Sequence, residues 1–121
     1  MAGPGSVTAR AVGGEKELVA CRYLEGRGLR LLARNHRCRH GEIDLVMRDA
    51  DTLVFVEVRY RHSQRFGTAA ETVDAHKQRR LTAAAGHYLQ AHPSPLPCRF
   101  DVLAIGADDR IDWIRNAFSA E

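Results

Sequence analysis

The sequence predicts an α/β domain with about five strands and two helices. Two adjacent runs alternate apolar and polar residues at a period of two, three other short apolar runs are typical of strands, and two longer runs have helical spacing. With 121 residues, 45% of them hydrophobic, the chain is long enough for one domain with a real core and too short for two. We therefore expect one sheet flanked by helices.

The first helix is expected to follow a disordered lead-in. Residues 1–14 are rich in Gly, Ala, Pro and Ser without periodicity, so we expect the domain to comprise residues 15–121. Apolar residues then recur at helical spacing until two glycines end the pattern, at Leu18, Ala20, Cys21, Leu24, Gly26 and Gly28. Glu17 lies on the inward stripe of this helix, four residues before Cys21.

The second helix is predicted from Val73 to Ala91. Thr72 or Asp74 would cap its N-terminus, and Pro93 follows its end. Lys77 precedes Leu81, Ala84 and Tyr88 at helical intervals, so it should lie on the face directed at the sheet. A lysine there either reaches a functional site or covers apolar surface with its stem while its ammonium group stays in water.

The strands come from the remaining apolar runs. They are predicted at Leu29–Ala33, Gly41–Met47, Leu53–Arg59, Arg99–Ile105 and Ile111–Ile114. A basic segment, Arg34–His40, leads into the second strand. Asp101, in the fourth strand, is either a distal member of a site or a partner of groups near Arg99.

The second and third strands form a predicted hairpin that carries acids. Pairing Arg48 with Leu53 across a four-residue loop places Asp44 opposite Glu57. Apolar side chains would point the other way, into a core, from Ile43, Leu45, Met47, Val54, Val56 and Val58. Like charges opposite each other destabilise a sheet, and a hard divalent cation such as Mg²⁺ would offset their repulsion.

A plainer interpretation of the hairpin stays open. Asp44 and Glu57 would be ordinary solvated acids on an open sheet face, and Glu42 and Arg59 would form a cross-strand ion pair.

Arginine dominates the basic residues of the chain. The net charge is +3, and 16 of the 18 basic residues are arginine, whose planar guanidinium group suits phosphate recognition. Candidate nucleic-acid contacts lie before the hairpin and after it, at Arg34, Arg37, Arg39, Arg61 and Arg65. A preference for Arg over Lys throughout the chain would give the same count without any ligand.

The cysteines and the hydropathy indicate the cellular compartment in which the protein is expected. The chain has 3 cysteines, widely spaced, so a disulfide framework is not expected and a reducing cytoplasm fits. No apolar run approaches the roughly 20 residues of a membrane span, and no signal peptide opens the chain, so no membrane partner is expected. His36, Cys38 and His40 alternate on an extended segment, which suits either zinc ligands or a basic flank of a nucleic-acid groove.

The order Asp44, Glu57, Arg59 nearly reproduces the Asp…Glu-x-Lys pattern of nucleases with the PD-(D/E)XK core. More of the chain agrees, because the sequence resembles the YraN family of predicted endonucleases, which are similar to archaeal Holliday-junction resolvases. The resemblance covers roughly residues 15–105, and its matching residues are Glu17, Ala20, Leu24, Gly28, Arg34, Asn35, the segments Gly41–Asp44 and Phe55–Val58, Arg61, Phe66, Gly67, Lys77 and Arg99–Asp101.

The resemblance implies both a fold and an activity. The fold would be a restriction-endonuclease-like core with a central mixed sheet. Asp44 and Glu57 would bind Mg²⁺ or Mn²⁺, and Glu17 would be a further acid from the first helix. The substrate would be structured or branched DNA, and a homodimer would be the working form, although no residue identifies a dimer face.

One departure from the pattern divides the functional hypotheses. Arg59 stands where the family usually has a lysine, and arginine cannot accept a proton. If Lys77 supplies the ammonium group and Arg59 stabilises phosphate charge, the protein is a nuclease. If neither does, it is a non-catalytic nucleic-acid-binding module that keeps the nuclease fold. A third hypothesis is an adaptor that binds a protein of a DNA-processing machine.

Overall fold

The computed structural model describes residues 9–61, 73–108 and 110–119. In chain order the elements are α1 (Ala9–Gly26), β1 (Arg30–Cys38), β2 (Gly41–Asp49), β3 (Thr52–Arg61), α2 (Ala75–Ala91), β4 (Cys98–Gly106) and β5 (Ile111–Phe118). Helix α1 thus begins at Ala9, inside the segment predicted to be a disordered lead-in. Gly13 and Gly14 lie within the helix, although glycine costs about 1 kcal/mol relative to alanine at a helical position.

The five strands form one mixed sheet in the order β1-β2-β3-β4-β5. Neighbouring strands are antiparallel except β3 and β4, which are parallel. A parallel pair needs a long crossover, and helix α2 lies in that connection. The predicted α/β class, with a mixed sheet of five strands flanked by helices, is therefore confirmed, and the architecture is consistent with a restriction-endonuclease-like core.

Both faces of the sheet are buried. Helix α1 covers one face through Ala20, Cys21 and Leu24, and helix α2 covers the other through Leu81, Ala84, Ala85 and Tyr88. Because the middle strands are covered on both sides, they have buried residues at consecutive positions, from Leu53 to Glu57 in β3. The acids of the hairpin accordingly do not lie on an open sheet face.

The hairpin has the predicted register and a tighter turn. Arg48 pairs with Leu53, as expected, and Asp49 pairs with Thr52. The loop therefore contains only Ala50 and Asp51, and Ala50 has a φ of 52°. Two-residue hairpins need such left-handed positions because their twist then matches that of the strands.

One face assignment in the hairpin was wrong. Leu45, Met47, Val54, Val56 and Val58 share one buried face, as predicted, and belong to or pack against the α1 cluster, but Ile43 belongs to the α2 cluster. Strict alternation would keep residues 43 and 45 on one face. The break in alternation bears directly on the site described below.

The ends of the other elements differ modestly from expectation. Strand β1 extends to Cys38 and so takes in most of the basic segment. Helix α2 is capped by Asp74, whose side chain accepts a hydrogen bond from the backbone N–H of Lys77 at 2.8 Å. Among the described residues, no helix is both long enough and apolar enough to cross a bilayer.

Candidate functional site

The site lies where β2 and β3 stop pairing. Their register runs from Asp49 and Thr52 to Leu45 and Val56. One step further, the backbone N–H of Val58 donates a 2.8 Å hydrogen bond to Oδ2 of Asp44. The Asp44 carboxylate therefore takes the place of a β2 carbonyl as the acceptor for β3.

A left-handed residue in the neighbouring strand accompanies the break in alternation. In β1, Arg34 pairs with Leu45 and His36 pairs with Ile43, yet these two pairs lie on opposite faces of the sheet. Asn35, between them, has a φ of 53°. Asparagine is one of the few residues that adopts this region readily. As a consequence, Arg34 and Arg37 both lie on the α1 side of the sheet. Glu42, which pairs with Arg37, lies there as well.

Three carboxylates converge on this side. One oxygen each from Glu17, Glu42 and Asp44 lie within 4.8 Å of one another. Glu17 comes from α1, where helical spacing placed it on the inward stripe as predicted, and the other two come from β2. Its Oε1 is buried and accepts no hydrogen bond from the described residues.

The electrostatics of this cluster are unfavourable without a cation or a proton. Burial, followed by the charge of Glu57 and a hydrogen bond with it, raises the pKa of Asp44 to about 9. Burial and the nearby Glu42 carboxylate raise the pKa of Glu17 as well, although Arg34 opposes this rise. An ion bound by these oxygens would offset both the cost of burying the carboxylates and the repulsion between them.

Glu57 lies next to Asp44 but faces the other helix. It is only 6% exposed. Its Oε2 is 3.2 Å from Nζ of Lys77 and 3.5 Å from Nε of Arg59. The structure therefore brings together all five residues expected to be catalytic, Glu17, Asp44, Glu57, Arg59 and Lys77, around the carboxylate of Asp44. Lys77 makes an ion pair in the site rather than only covering apolar surface.

Glu42 is the site residue that the sequence prediction missed. Only the plainer interpretation of the hairpin gave it a role, an ion pair with Arg59, and that alternative is wrong because β2 and β3 have already stopped pairing at this level. Glu42 instead pairs with Arg37, with 3.4 Å between its Oε2 and the Nε of Arg37. The available signal was its closeness to Asp44 in the sequence, since two residues along a strand span only about 7 Å.

The predicted nucleic-acid contacts are partly described. Arg34, Arg37 and Arg39 are exposed, on β1 and in the turn that follows it. Arg61 ends β3, and its side chain lies outside the described residues, as does all of Arg65. The sequence did not single out Arg80 of α2, whose Nε donates a 3.1 Å hydrogen bond to the carbonyl of His40 and so holds the turn before Glu42.

Asp101 belongs to the fold and not to the acid cluster. It is 1% exposed and accepts hydrogen bonds from the side chains of Arg99 and Trp113 and from the backbone of Asn116. Arg99 also reaches Asp49 at 3.0 Å. These contacts tie β4 to β5 and to the end of β2, so the interpretation of Asp101 as a partner of its neighbours is the correct one.

Comparison with known proteins places this site in a family. A family model described as "Uncharacterised protein family UPF0102" matches residues 16–105, which contain every acid of the cluster. A UPF0102 protein of Nitrosococcus oceani is 51% identical, covering 94% of this chain and 96% of its own. UPF0102 proteins of Ralstonia nicotianae and Nitrosomonas europaea are 56% and 52% identical, covering 98% and 88% of this chain and 94% and 92% of their own. The chain therefore belongs to the UPF0102 family, in agreement with the YraN-type resemblance of its sequence.

Proposed function

We propose that this protein is a divalent-metal-dependent nuclease that cuts structured or branched DNA. The observation that carries the proposal is the convergence of Glu17, Glu42 and Asp44 within 4.8 Å, beside a buried Glu57 that is paired with a lysine. Carboxylates with a nearby ammonium group are the components that metal-assisted phosphodiester hydrolysis requires.

The carboxylates of the cluster are suitable ligands for Mg²⁺ or Mn²⁺. All the donors are hard carboxylate oxygens, and Oε1 of Glu17 is buried and receives no hydrogen bond within the part of the chain that the structure describes. When bound, the ion would make a water molecule a better nucleophile and neutralise phosphate charge. Relative to the expected pair of Asp44 and Glu57, this assignment keeps Asp44, adds Glu17 and Glu42, and places Glu57 beside the ligands.

Lys77 takes the role for which Arg59 is poorly suited. Its Nζ is 3.2 Å from Oε2 of Glu57, next to Asp44, so it can orient a water molecule or a phosphate oxygen at that position. Arg59 contacts the same oxygen at 3.5 Å and adds a fixed positive charge. Both cations therefore contact the same carboxylate oxygen of the buried Glu57.

The arginines beside the acids supply phosphate contacts. Arg34 and Arg37 share the α1 side of β1, and Arg39 follows in the turn. Contacts of this kind position a nucleic acid without reading its sequence. Both described helices pack their apolar stripes on the sheet, so specificity for DNA shape is a better match than base readout by a helix.

The test is cleavage of end-labelled DNA by the full chain. Four-way junction, flap, single-stranded and linear duplex substrates are incubated with Mg²⁺ or Mn²⁺, with EDTA as the metal-free control. We expect cutting of the junction or flap that disappears in EDTA and falls at least a hundredfold in Asp44→Asn and Glu42→Gln. Cutting by Lys77→Met should fall similarly, because this variant loses the ammonium group that contacts Glu57.

Matched controls separate loss of chemistry from loss of fold. Glu25→Gln removes an exposed acid from α1 and should cut like wild type, and a cooperative melting transition well above the assay temperature shows that each variant is folded. Binding without cutting on every substrate would reject the nuclease and favour the non-catalytic binding module. Absence of binding even at low salt would favour the protein-binding adaptor.

A further inference from the structure

A pair of histidines joins β1 to α2 away from the acid cluster. Nε2 of His36 and Nδ1 of His87 are 2.9 Å apart, and their ring centroids are 5.0 Å apart. β1 is an edge strand of the sheet, and the contact between the two rings is exposed to solvent. Two imidazole nitrogens thus face each other at a position that solutes can reach.

The surrounding aromatic residues hold both rings in place. Tyr88, which follows His87, is buried and lies edge-on to the ring of His36 at 5.3 Å. The ring of His92 stacks on the other side of Tyr88 at 4.5 Å. Because the two histidines come from different elements that are fixed by this core, their nitrogens are preorganised and need little ordering to bind a shared ligand.

The geometry is close to that of two ligands on one metal ion. Two nitrogens bound to a tetrahedral ion at about 2.0 Å each lie about 3.3 Å apart, so the rings need to separate by roughly 0.4 Å. Burial and the neighbouring His87 and His92 lower the pKa of His36, which favours the neutral form that binds metals. Imidazole suits Zn²⁺, Ni²⁺ and Cu²⁺, whereas Mg²⁺ prefers oxygen.

We propose that His36 and His87 bind a borderline divalent cation such as Zn²⁺, with water completing its coordination. This site is independent of the proposed nuclease and differs from the acid cluster in ligand class. The alternative that made His36, Cys38 and His40 zinc ligands is not supported, because they do not form a group of three converging ligand atoms among the described residues. The second ligand, His87, comes instead from α2, 51 residues after His36 in the chain.

The test is a Zn²⁺ titration of the ¹⁵N-labelled full chain, followed through the imidazole resonances. We expect the signals of His36 and His87 to shift together and to saturate at one ion, while Mg²⁺ leaves them unchanged. His36→Gln should weaken the response of His87 at least tenfold, and His87→Gln should do the same to His36. His76→Gln, an exposed histidine on the same helix, is the matched control and should change nothing.

This reciprocal readout distinguishes a shared ion from adventitious binding at one ring. If His87 responds to Zn²⁺ equally well in His36→Gln, or if neither signal moves in the wild type, the pair is an ordinary hydrogen bond and the proposal is wrong. The two variants lie on different elements, so a folding defect in one leaves the other as a test. Zinc bound at the carboxylates or at an exposed thiol shifts other resonances, so it changes the total amount of zinc required but not the dependence of each histidine signal on the other histidine.

Discussion

At the scale of single residues, Asp44 links the fold to the proposed chemistry. Its Oδ2 accepts the N–H of Val58, while its carboxylate lies against Glu17 on one side and Glu57 on the other. A carboxyl group with a pKa near 9 carries its proton at neutral pH, so the metal-free fold avoids a buried negative charge there. Metal binding would release that proton, which couples affinity to pH.

The first prediction concerns Asp44→Asn without metal. An acid whose pKa rises from 3.8 to about 9 on folding makes the wild type less stable as pH increases across that interval, because only the unfolded state is ionised. The amide of asparagine cannot ionise and still offers an oxygen to Val58. We expect Asp44→Asn to raise the free energy of unfolding by several kcal/mol at pH 8, at about 1.4 kcal/mol for each pH unit above 3.8, and to have little effect near pH 4.

Urea denaturation at both pH values measures this difference. Adding Mn²⁺ should reverse the order, stabilising the wild type but not the variant. A variant less stable than the wild type at pH 8 in EDTA would contradict the assignment of a strained, protonated Asp44. Glu25→Gln is again the control, since that side chain is exposed.

The sequence could predict those site residues that follow regular periodicity. Glu17 and Lys77 were placed correctly because helical spacing fixes which face of each helix they occupy, and the hairpin register brought Asp44 near Glu57. The plainer interpretation of the hairpin gave Glu42 the wrong partner because strand pairing ends at Leu45. A pattern of apolar and polar residues shows neither where the pairing of β2 with β3 ends nor that Asn35 adopts a left-handed conformation.

At the scale of elements, the N-terminus of α2 positions the lysine of the site. Asp74 accepts the backbone N–H of Lys77 through its side chain at 2.8 Å, and its carbonyl accepts the N–H of Gln78 at 2.9 Å. These contacts define the first turn of the helix, from which Lys77 reaches Glu57. The Asp74 cap therefore helps to position Lys77 in the site, as well as stabilising the start of α2.

The second prediction is that Asp74→Ala weakens both stability and cleavage. Loss of an N-cap costs about 1 kcal/mol of stability, because a backbone donor loses its partner. If the nuclease proposal is correct, the frayed turn also reduces cutting, with a larger effect on turnover than on DNA binding. Asp74→Ser retains a capping oxygen and should restore most of both. Equal cleavage by wild type and Asp74→Ala at a temperature well below melting would show that the cap does not position Lys77.

The ends of elements were predicted less well than their existence. β1 extends into the basic segment because pairing with β2 continues to Cys38 and Gly41, and polarity alone gives no sign of that pairing. Helix α1 begins earlier than the glycines suggested. In both cases contacts and continuity of the backbone outweigh local composition.

At the scale of the whole molecule, the two edge strands of the sheet, β1 and β5, lie far apart and differ in their surroundings. β1 carries Arg34 and Arg37 beside the acids, and β5 is the opposite edge strand, joined to β4 through the buried Asp101. Four inter-strand spacings of about 4.8 Å put the two edges roughly 19 Å apart. That separation exceeds the Debye length at physiological salt, so a charge on one edge contributes little to binding at the other.

The last prediction uses this separation to locate the nucleic-acid surface. Binding of a fluorescent four-way junction by the full chain is measured in EDTA, so that cutting plays no part, over a range of salt concentrations. If Arg34 and Arg37 contact phosphates, the double variant Arg34→Gln/Arg37→Gln should bind more weakly and lower the slope of log K against log salt by about 2. The double variant Arg110→Gln/Arg115→Gln removes the same charge at the opposite edge of the sheet, next to and within β5. It should leave the slope nearly unchanged. Equal losses in both double variants would mean that net charge, and not the surface beside the acids, governs binding, because a localised interface must respond to where the charge is removed.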